Sequence, residues 1–153
     1  MNINDVVGYF REENFLPDLK SENRNDVLEE LIVPLYERNI IRNRRVIIET
    51  LQKRETLGST GIGFSVAIPH CRTLTVPDIQ VVVGISKSGI EYDAIDEEKV
   101  TLFFLVISPP HERSNLYLPL LGKIVELLRD EKIRNALNKC DNFSSFLEIM
   151  KGE

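Results

Sequence analysis

Residues that support metal, redox and disulfide chemistry are scarce in this sequence. The 153 residues include two cysteines, two histidines and no tryptophan. Cys71 and Cys140 match neither a zinc-binding spacing nor a disulfide framework. We therefore expect neither a metal site nor a disulfide.

Long hydrophobic runs and an excess of positive charge are also missing. The longest apolar runs, such as 100–107, are about eight residues, whereas a membrane helix needs about 20. Residues 1–5 have neither the basic start nor the apolar stretch of a signal peptide. Lys and Arg number 19 against 24 Asp and Glu, a net charge of −5, which disfavours nucleic acid as the main partner. We expect a cytoplasmic protein that neither enters the membrane nor binds nucleic acid.

What is present is the composition of an ordinary globular domain. Hydrophobic residues make up 42% and charged residues 28%, and about 150 residues suffice for one independent core. No repeat, low-complexity segment or linker divides the chain. The sequence therefore predicts a single domain over residues 1–153.

Hydrophobic periodicity predicts helices, then strands, then helices. A first helix follows Asn25 as N-cap and is kinked or ended early by Pro34. The other segments are a helix from Asn43 to about 56–58, strands at 65–68, 79–85, 90–94 and 100–107, and helices at 116–128, 130–138 and 142–150. The middle strands are too close together for crossover helices, so we expect a layered α/β sandwich rather than a doubly wound parallel sheet.

Candidate functional residues cluster between positions 54 and 70. His70 follows Pro69, which lacks an N–H and is expected to end strand pairing, so His70 is placed at the rim of a sheet. A structural and a functional histidine both remain open on that spacing. The glycine loop 59–63 and Arg54 upstream favour phosphoryl chemistry over hydrolysis, because glycines and a guanidinium bind phosphate oxygens. Cys71 is not expected to pair with His70, since neighbours in an extended chain point to opposite faces.

The same stretch carries a family signature. Residues 54–70 read RETLGSTGIGFSVAIPH, which resembles phosphotransferase-system (PTS) IIA domains of the fructose/mannitol type, nearest to the nitrogen-regulatory IIA proteins. Residues 94–96, 120–124 and 127–130 resemble the same family, and the resemblance extends over about 27–150. It implies an α/β sandwich with a mixed sheet flanked by helices, and no cofactor.

The resemblance also implies a phosphocarrier cycle. His70 corresponds to the histidine that accepts a phosphoryl group from HPr, or from the nitrogen-branch homologue of HPr. Arg54 corresponds to an oxygen clamp, and the implied phosphate-binding residues are Ser59, Thr60, Gly61 and Gly63. A IIB component or a regulated target protein would be the next partner.

One position departs from the family pattern. Many members carry a second active-site histidine, and aligning residues 120–124 puts Tyr117 at that position. His111 either substitutes for the missing histidine or is an exposed loop residue. The absence of an attached permease favours a regulatory IIA. The alternatives are a sugar-uptake IIA that donates to a IIB component, and an interaction module with impaired phosphotransfer.

Overall fold

The chain folds into a sheet covered by helices on both faces. The computed structural model describes residues 1–152; Glu153, which the single-domain prediction included, lies outside the described residues. Its helices are α1 (Ile3–Val7), α2 (Arg24–Glu37), α3 (Arg44–Thr56), α4 (Tyr117–Leu128), α5 (Glu131–Asn138) and α6 (Phe143–Lys151). Its strands are β1 (Phe15–Leu16), β2 (Gly61–Gly63), β3 (Val66–Ala67), β4 (His70–Arg72), β5 (Gln80–Ile90) and β6 (Val100–Ser108).

The sheet is mixed and has β6 at its centre. Its strand order is β1-β5-β6-β3-β2, with β4 also paired to β6. Strand β5 runs antiparallel to β6, while β3 and β4 run parallel to it. The predicted mixed sheet flanked by helices is therefore confirmed.

Alternation along β6 divides the core into two layers. Leu102, Phe104 and Val106 pack among residues of α1, α4, α5 and α6, whereas Phe103, Leu105 and Ile107 pack against α2 and α3. Successive side chains of a strand point to opposite faces, so a continuous apolar run serves both layers. This explains why residues 102–107 are hydrophobic without interruption.

Two details of α2 differ from the sequence-based prediction. The N-cap is Asn23, whose side chain accepts from the Asp26 amide at 2.9 Å, and Asn25 lies inside the helix. A bridge between Asn23 and Glu91 holds the cap residue in extended conformation. Pro34 does not end the helix, which continues to Glu37. Proline removes one helical hydrogen bond there, and the burial of this face of α2 in the core compensates for the loss.

The strand predicted at 90–94 does not exist as a separate element. Strand β5 continues through Gly89 to Ile90, with an irregularity in its pairing to β6 after Ile85. The Gly89 amide donates to the Ser86 hydroxyl at 3.0 Å, so the turn residues bend the strand without ending it. The sequence analysis also did not predict α1 and β1.

Helices α3, α5 and α6 begin close to the predicted positions, and each has a side-chain N-cap. Asn43, Asp130 and Asn142 each accept a hydrogen bond from a backbone amide in the first turn of α3, α5 and α6. Every helix within residues 1–152 is too short or too polar to cross a membrane. The cytoplasmic location stays a prediction.

Candidate functional site

His70 is the first residue of β4, which pairs with the central strand β6. Pro69 was expected to end the pairing, and this was wrong: β4 starts at His70, which lies opposite Val106. Proline lacks only the donor, and the Pro69 carbonyl accepts from the Val106 amide at 2.9 Å. The backbone on which His70 sits is therefore hydrogen-bonded to β6.

Cys71 is separated from His70 by the alternation of the strand. Its side chain is buried, whereas those of His70 and Arg72 are partly or largely exposed. Burial raises the pKa of the Cys71 thiol to about 12. The thiol is therefore protonated at neutral pH and is a poor nucleophile.

One hydrogen bond determines which His70 nitrogen is free. Nδ1 lies 2.8 Å from the Ile68 carbonyl oxygen. A carbonyl only accepts hydrogen bonds, so Nδ1 carries the hydrogen and Nε2 keeps its lone pair. Burial, helped by the charge of Arg54, lowers the pKa of His70 from its ordinary value against the opposing effects of the Ile68 carbonyl and Glu55. The residue is thus a neutral imidazole with a nucleophilic Nε2 at neutral pH.

Two cavities adjoin His70, and Arg54 lines both. The larger, about 350 Å³, is also lined by Lys53, Arg72 and Tyr117. The smaller, about 140 Å³, is lined by Ser59 and Thr60 together with apolar side chains. Three cationic side chains around the larger cavity favour an anionic group next to the histidine.

Arg54 is positioned by the end of α3. It lies in the last turn of the helix, and its Nη1 donates to the Gly58 carbonyl at 2.8 Å. The other donors of its guanidinium make no hydrogen bond within residues 1–152. A planar fork with free donors is suited to binding phosphate oxygens.

The glycine loop 59–63 does not present a set of free backbone amides for phosphate binding. Part of it is strand β2, and the Gly61 amide donates to Ser59 Oγ at 3.0 Å. Ser59 Oγ in turn donates to the Tyr92 carbonyl at 3.0 Å. Gly61 and Gly63 line neither cavity at His70. Of the predicted phosphate-binding residues, the structure brings Ser59 and Thr60 to the site.

Glu55 was missed by the sequence analysis. It is 4% exposed, and its carboxylate accepts from the Thr60 amide at 2.9 Å, from the Tyr92 hydroxyl at 2.6 Å and from the Thr60 hydroxyl. These bonds tie the end of α3 to the start of β2 and so hold Arg54 and His70 in one frame. A glutamate directly after Arg54 was the available signal, but its burial is a tertiary property.

Gly61 is needed because two backbones approach closely. A Cβ at this position would lie 2.8 Å from the Ala94 Cβ and 2.9 Å from the Ala94 Cα.

We expect Gly61→Ala to lower the free energy of unfolding by about 1–3 kcal/mol, since the backbone must move to make room for the methyl group. Gly122→Ala is the matched control, because a Cβ there meets nothing within 4 Å; this exposed helical site should gain roughly 0.5–1 kcal/mol. Urea denaturation of both variants checks the difference, and equal effects would contradict the steric explanation.

Comparison with known proteins identifies the family. A model described as the phosphoenolpyruvate-dependent sugar phosphotransferase system, EIIA 2, matches residues 8–153. The chain belongs to this family. The resemblance seen in residues 54–70 is thus confirmed, and as a IIA domain the chain is a phosphotransferase component.

Relatives of this IIA domain come from two branches. A nitrogen regulatory protein of Bradyrhizobium diazoefficiens is 33% identical, with 98% of this chain and 95% of that protein covered. A fructose-specific EIIABC component of Bacillus subtilis is 29% identical over 87% of this chain, which spans 21% of that protein. The crystal structure of nitrogen regulatory protein IIA-Ntr from Neisseria meningitidis superimposes with a TM-score of 0.86 at 26% identity, covering 95% of this chain and 98% of that one.

Tyr117 lies near His70 in this IIA domain, whereas His111 lies in another part of the surface. Tyr117 opens α4, is 5% exposed, and lies with its ring centroid 6.4 Å from that of His70. Burial raises the pKa of Tyr117 above its ordinary value, so its phenol stays protonated. His111 is exposed and lines a different cavity, formed with residues such as Tyr9 and Asp78. The structure brings Tyr117 to His70 and leaves His111 elsewhere.

Proposed function

We propose that this IIA domain carries a phosphoryl group on Nε2 of His70 and serves as a regulatory IIA of the nitrogen branch. The donor would be the phosphohistidine of HPr or of its nitrogen-branch homologue. The observation that carries the proposal is the His70 tautomer: Ile68 occupies Nδ1, which leaves Nε2 as the nucleophile next to Arg54.

The transfer is an exchange between two imidazole rings. The lone pair of His70 Nε2 forms a bond to phosphorus while the bond from phosphorus to the donor nitrogen breaks. That electron pair remains on the donor ring, which, protonated on its other nitrogen, leaves as neutral imidazole. His70 keeps its proton on Nδ1, which still donates to the Ile68 carbonyl, and becomes the phosphorylated ring. Charge spreads over three equatorial oxygens in the transition state, where Arg54 would bind.

Similarity to the nitrogen regulatory proteins supports the regulatory role. The Bradyrhizobium relative matches along nearly the full length of both chains, and the Neisseria structure has the same fold at 26% identity. Sugar uptake, with transfer from His70 to a IIB component, is the second candidate. The 29% identity to the fructose-specific component favours it.

Phosphorylation assays test the function and separate the two candidates. The wild-type chain is incubated with phosphoenolpyruvate, enzyme I and either HPr or its nitrogen-branch homologue, each with its own enzyme I. We expect an acid-labile, base-stable adduct that forms faster with the nitrogen-branch donor. Faster transfer from HPr, followed by transfer to a IIB cysteine, supports sugar uptake instead. No adduct from either donor overturns the phosphocarrier proposal and favours a IIA-fold interaction module.

The pH dependence of His70 is a second test. Because burial lowers its pKa below 6.5, we expect the NMR titration midpoint of the His70 ring below that value. The ring is then neutral throughout the neutral range, and phosphate acceptance declines only as pH falls through the lowered pKa. As pH falls below 6.5, the unfolded chain binds the proton before the folded one does. The free energy of unfolding therefore decreases as pH falls from 6.5 to the lowered pKa, and it stays lower below that pKa. A midpoint at or above 6.5 would contradict the burial argument.

A further inference from the structure

A second arginine lines the cavity beside His70. His70 and Arg72 are two residues apart on β4, so their side chains leave the same face of the strand. Both line the cavity of about 350 Å³ that Arg54 also borders. The two arginines belong to different elements, Arg54 to the end of α3 and Arg72 to β4, and both line this one cavity.

Two contacts hold the Arg72 side chain over this cavity. Its guanidinium carbon lies 4.6 Å from the centroid of the Tyr117 ring, and Nη1 donates to the Pro110 carbonyl at 3.0 Å. Tyr117 is 95% buried at the start of α4, so its ring is a fixed support. Stacking on an aromatic face restricts a guanidinium that would otherwise sample many rotamers, and the N–H groups that do not donate to Pro110 stay available.

These contacts are not explained by folding needs alone. Arg72 is exposed and forms no salt bridge within residues 1–152. Arg72 shares the lining of one cavity with Arg54 and Lys53; like charges around one space repel each other, and a bound dianion would offset that repulsion.

We propose that Arg72 is a second guanidinium that binds the equatorial oxygens of the phosphoryl group on His70, and that Tyr117 is the residue that positions it. The inference rests on the proposed function and adds to it. Arg72 stabilises charge on the oxygens while the Nε2–phosphorus bond forms and the donor bond breaks. It takes no proton, since a guanidinium stays charged throughout. Tyr117 acts through its ring face, without bonding to the phosphoryl group.

Substitution of Arg72 tests the first part. We expect Arg72→Gln to reduce kcat for His70 phosphorylation by roughly 10- to 100-fold, as for a lost hydrogen bond to a charged group, with a smaller change in KM. Arg129→Gln is the control. It also removes one positive charge, but Arg129 follows the C-terminal end of α4, whereas Tyr117 lies at the N-terminal end. A rate equal to that of the control, or an effect confined to KM, overturns the inference while the proposed function stands. If the wild type accepts no phosphoryl group, the proposed function fails and the inference fails with it.

A double-mutant cycle tests the positioning role of Tyr117. We expect Tyr117→Leu to lower kcat as Arg72→Gln does, and the double variant to lose little more, because the two side chains act as one unit. Tyr117→Phe keeps the ring face and should recover most of the rate lost in the leucine variant. Additive losses, or a phenylalanine variant as slow as the leucine one, overturn the positioning role. Thermal unfolding by circular dichroism establishes that each variant is folded, and Arg72→Gln, at an exposed site, decides the first part regardless of the Tyr117 variants.

Discussion

His70→Ala is expected to abolish phosphoryl uptake completely. Alanine offers no nucleophile, and no other side chain at the site can replace the imidazole: Cys71 is held protonated by burial, and Tyr117 keeps its phenol proton because burial raises its pKa. The measurement is the acid-labile adduct formed from phosphoenolpyruvate, followed by intact-protein mass spectrometry. His70 is only partly buried, so the variant is expected to fold.

Two control variants determine whether the loss is specific to His70. Cys71→Ala removes the neighbouring side chain, and His111→Ala removes the other histidine, which lines a separate cavity. Both should take up phosphate at the wild-type level. An adduct that survives in His70→Ala and disappears in either control would move the acceptor away from His70.

Arg54→Ala is expected to slow phosphorylation of His70 by about 100- to 1,000-fold, as when a preorganised donor is removed from a developing charge. The effect should fall on kcat, because the guanidinium binds oxygens whose charge changes during transfer. Arg54→Lys keeps the charge but loses the fork and should lie between alanine and wild type. Single-turnover kinetics with excess donor measure the chemical step.

The same variant is expected to leave the fold intact. The only hydrogen bond of the Arg54 side chain within residues 1–152 goes to the Gly58 carbonyl at an exposed position, so its loss should cost less than about 1 kcal/mol. Urea denaturation checks this. Unchanged kinetics in Arg54→Ala would remove Arg54 from the mechanism, and a large loss of stability would turn the kinetic result into a folding effect.

The sequence-based prediction of the fold succeeded where local patterns agree with the tertiary environment. The long apolar run of β6 and the hydrophobic periodicity of α3, α5 and α6 identify these elements, because each pattern depends on neighbours in sequence. It failed at Pro69 and Gly89, residues that usually interrupt regular structure. At each of them, packing or pairing with a distant segment outweighs the local preference.

The motif at 54–70 by itself determined the family and the candidate acceptor His70. A signature of this kind survives in sequence because the residues that carry it are adjacent in the chain. The tertiary structure alone decided which His70 nitrogen is free, that Glu55 is buried beneath the site, and that Arg72 stacks on Tyr117. These properties depend on burial and on contacts between β4, α3 and α4, and no local pattern encodes the distance between segments brought together only by folding.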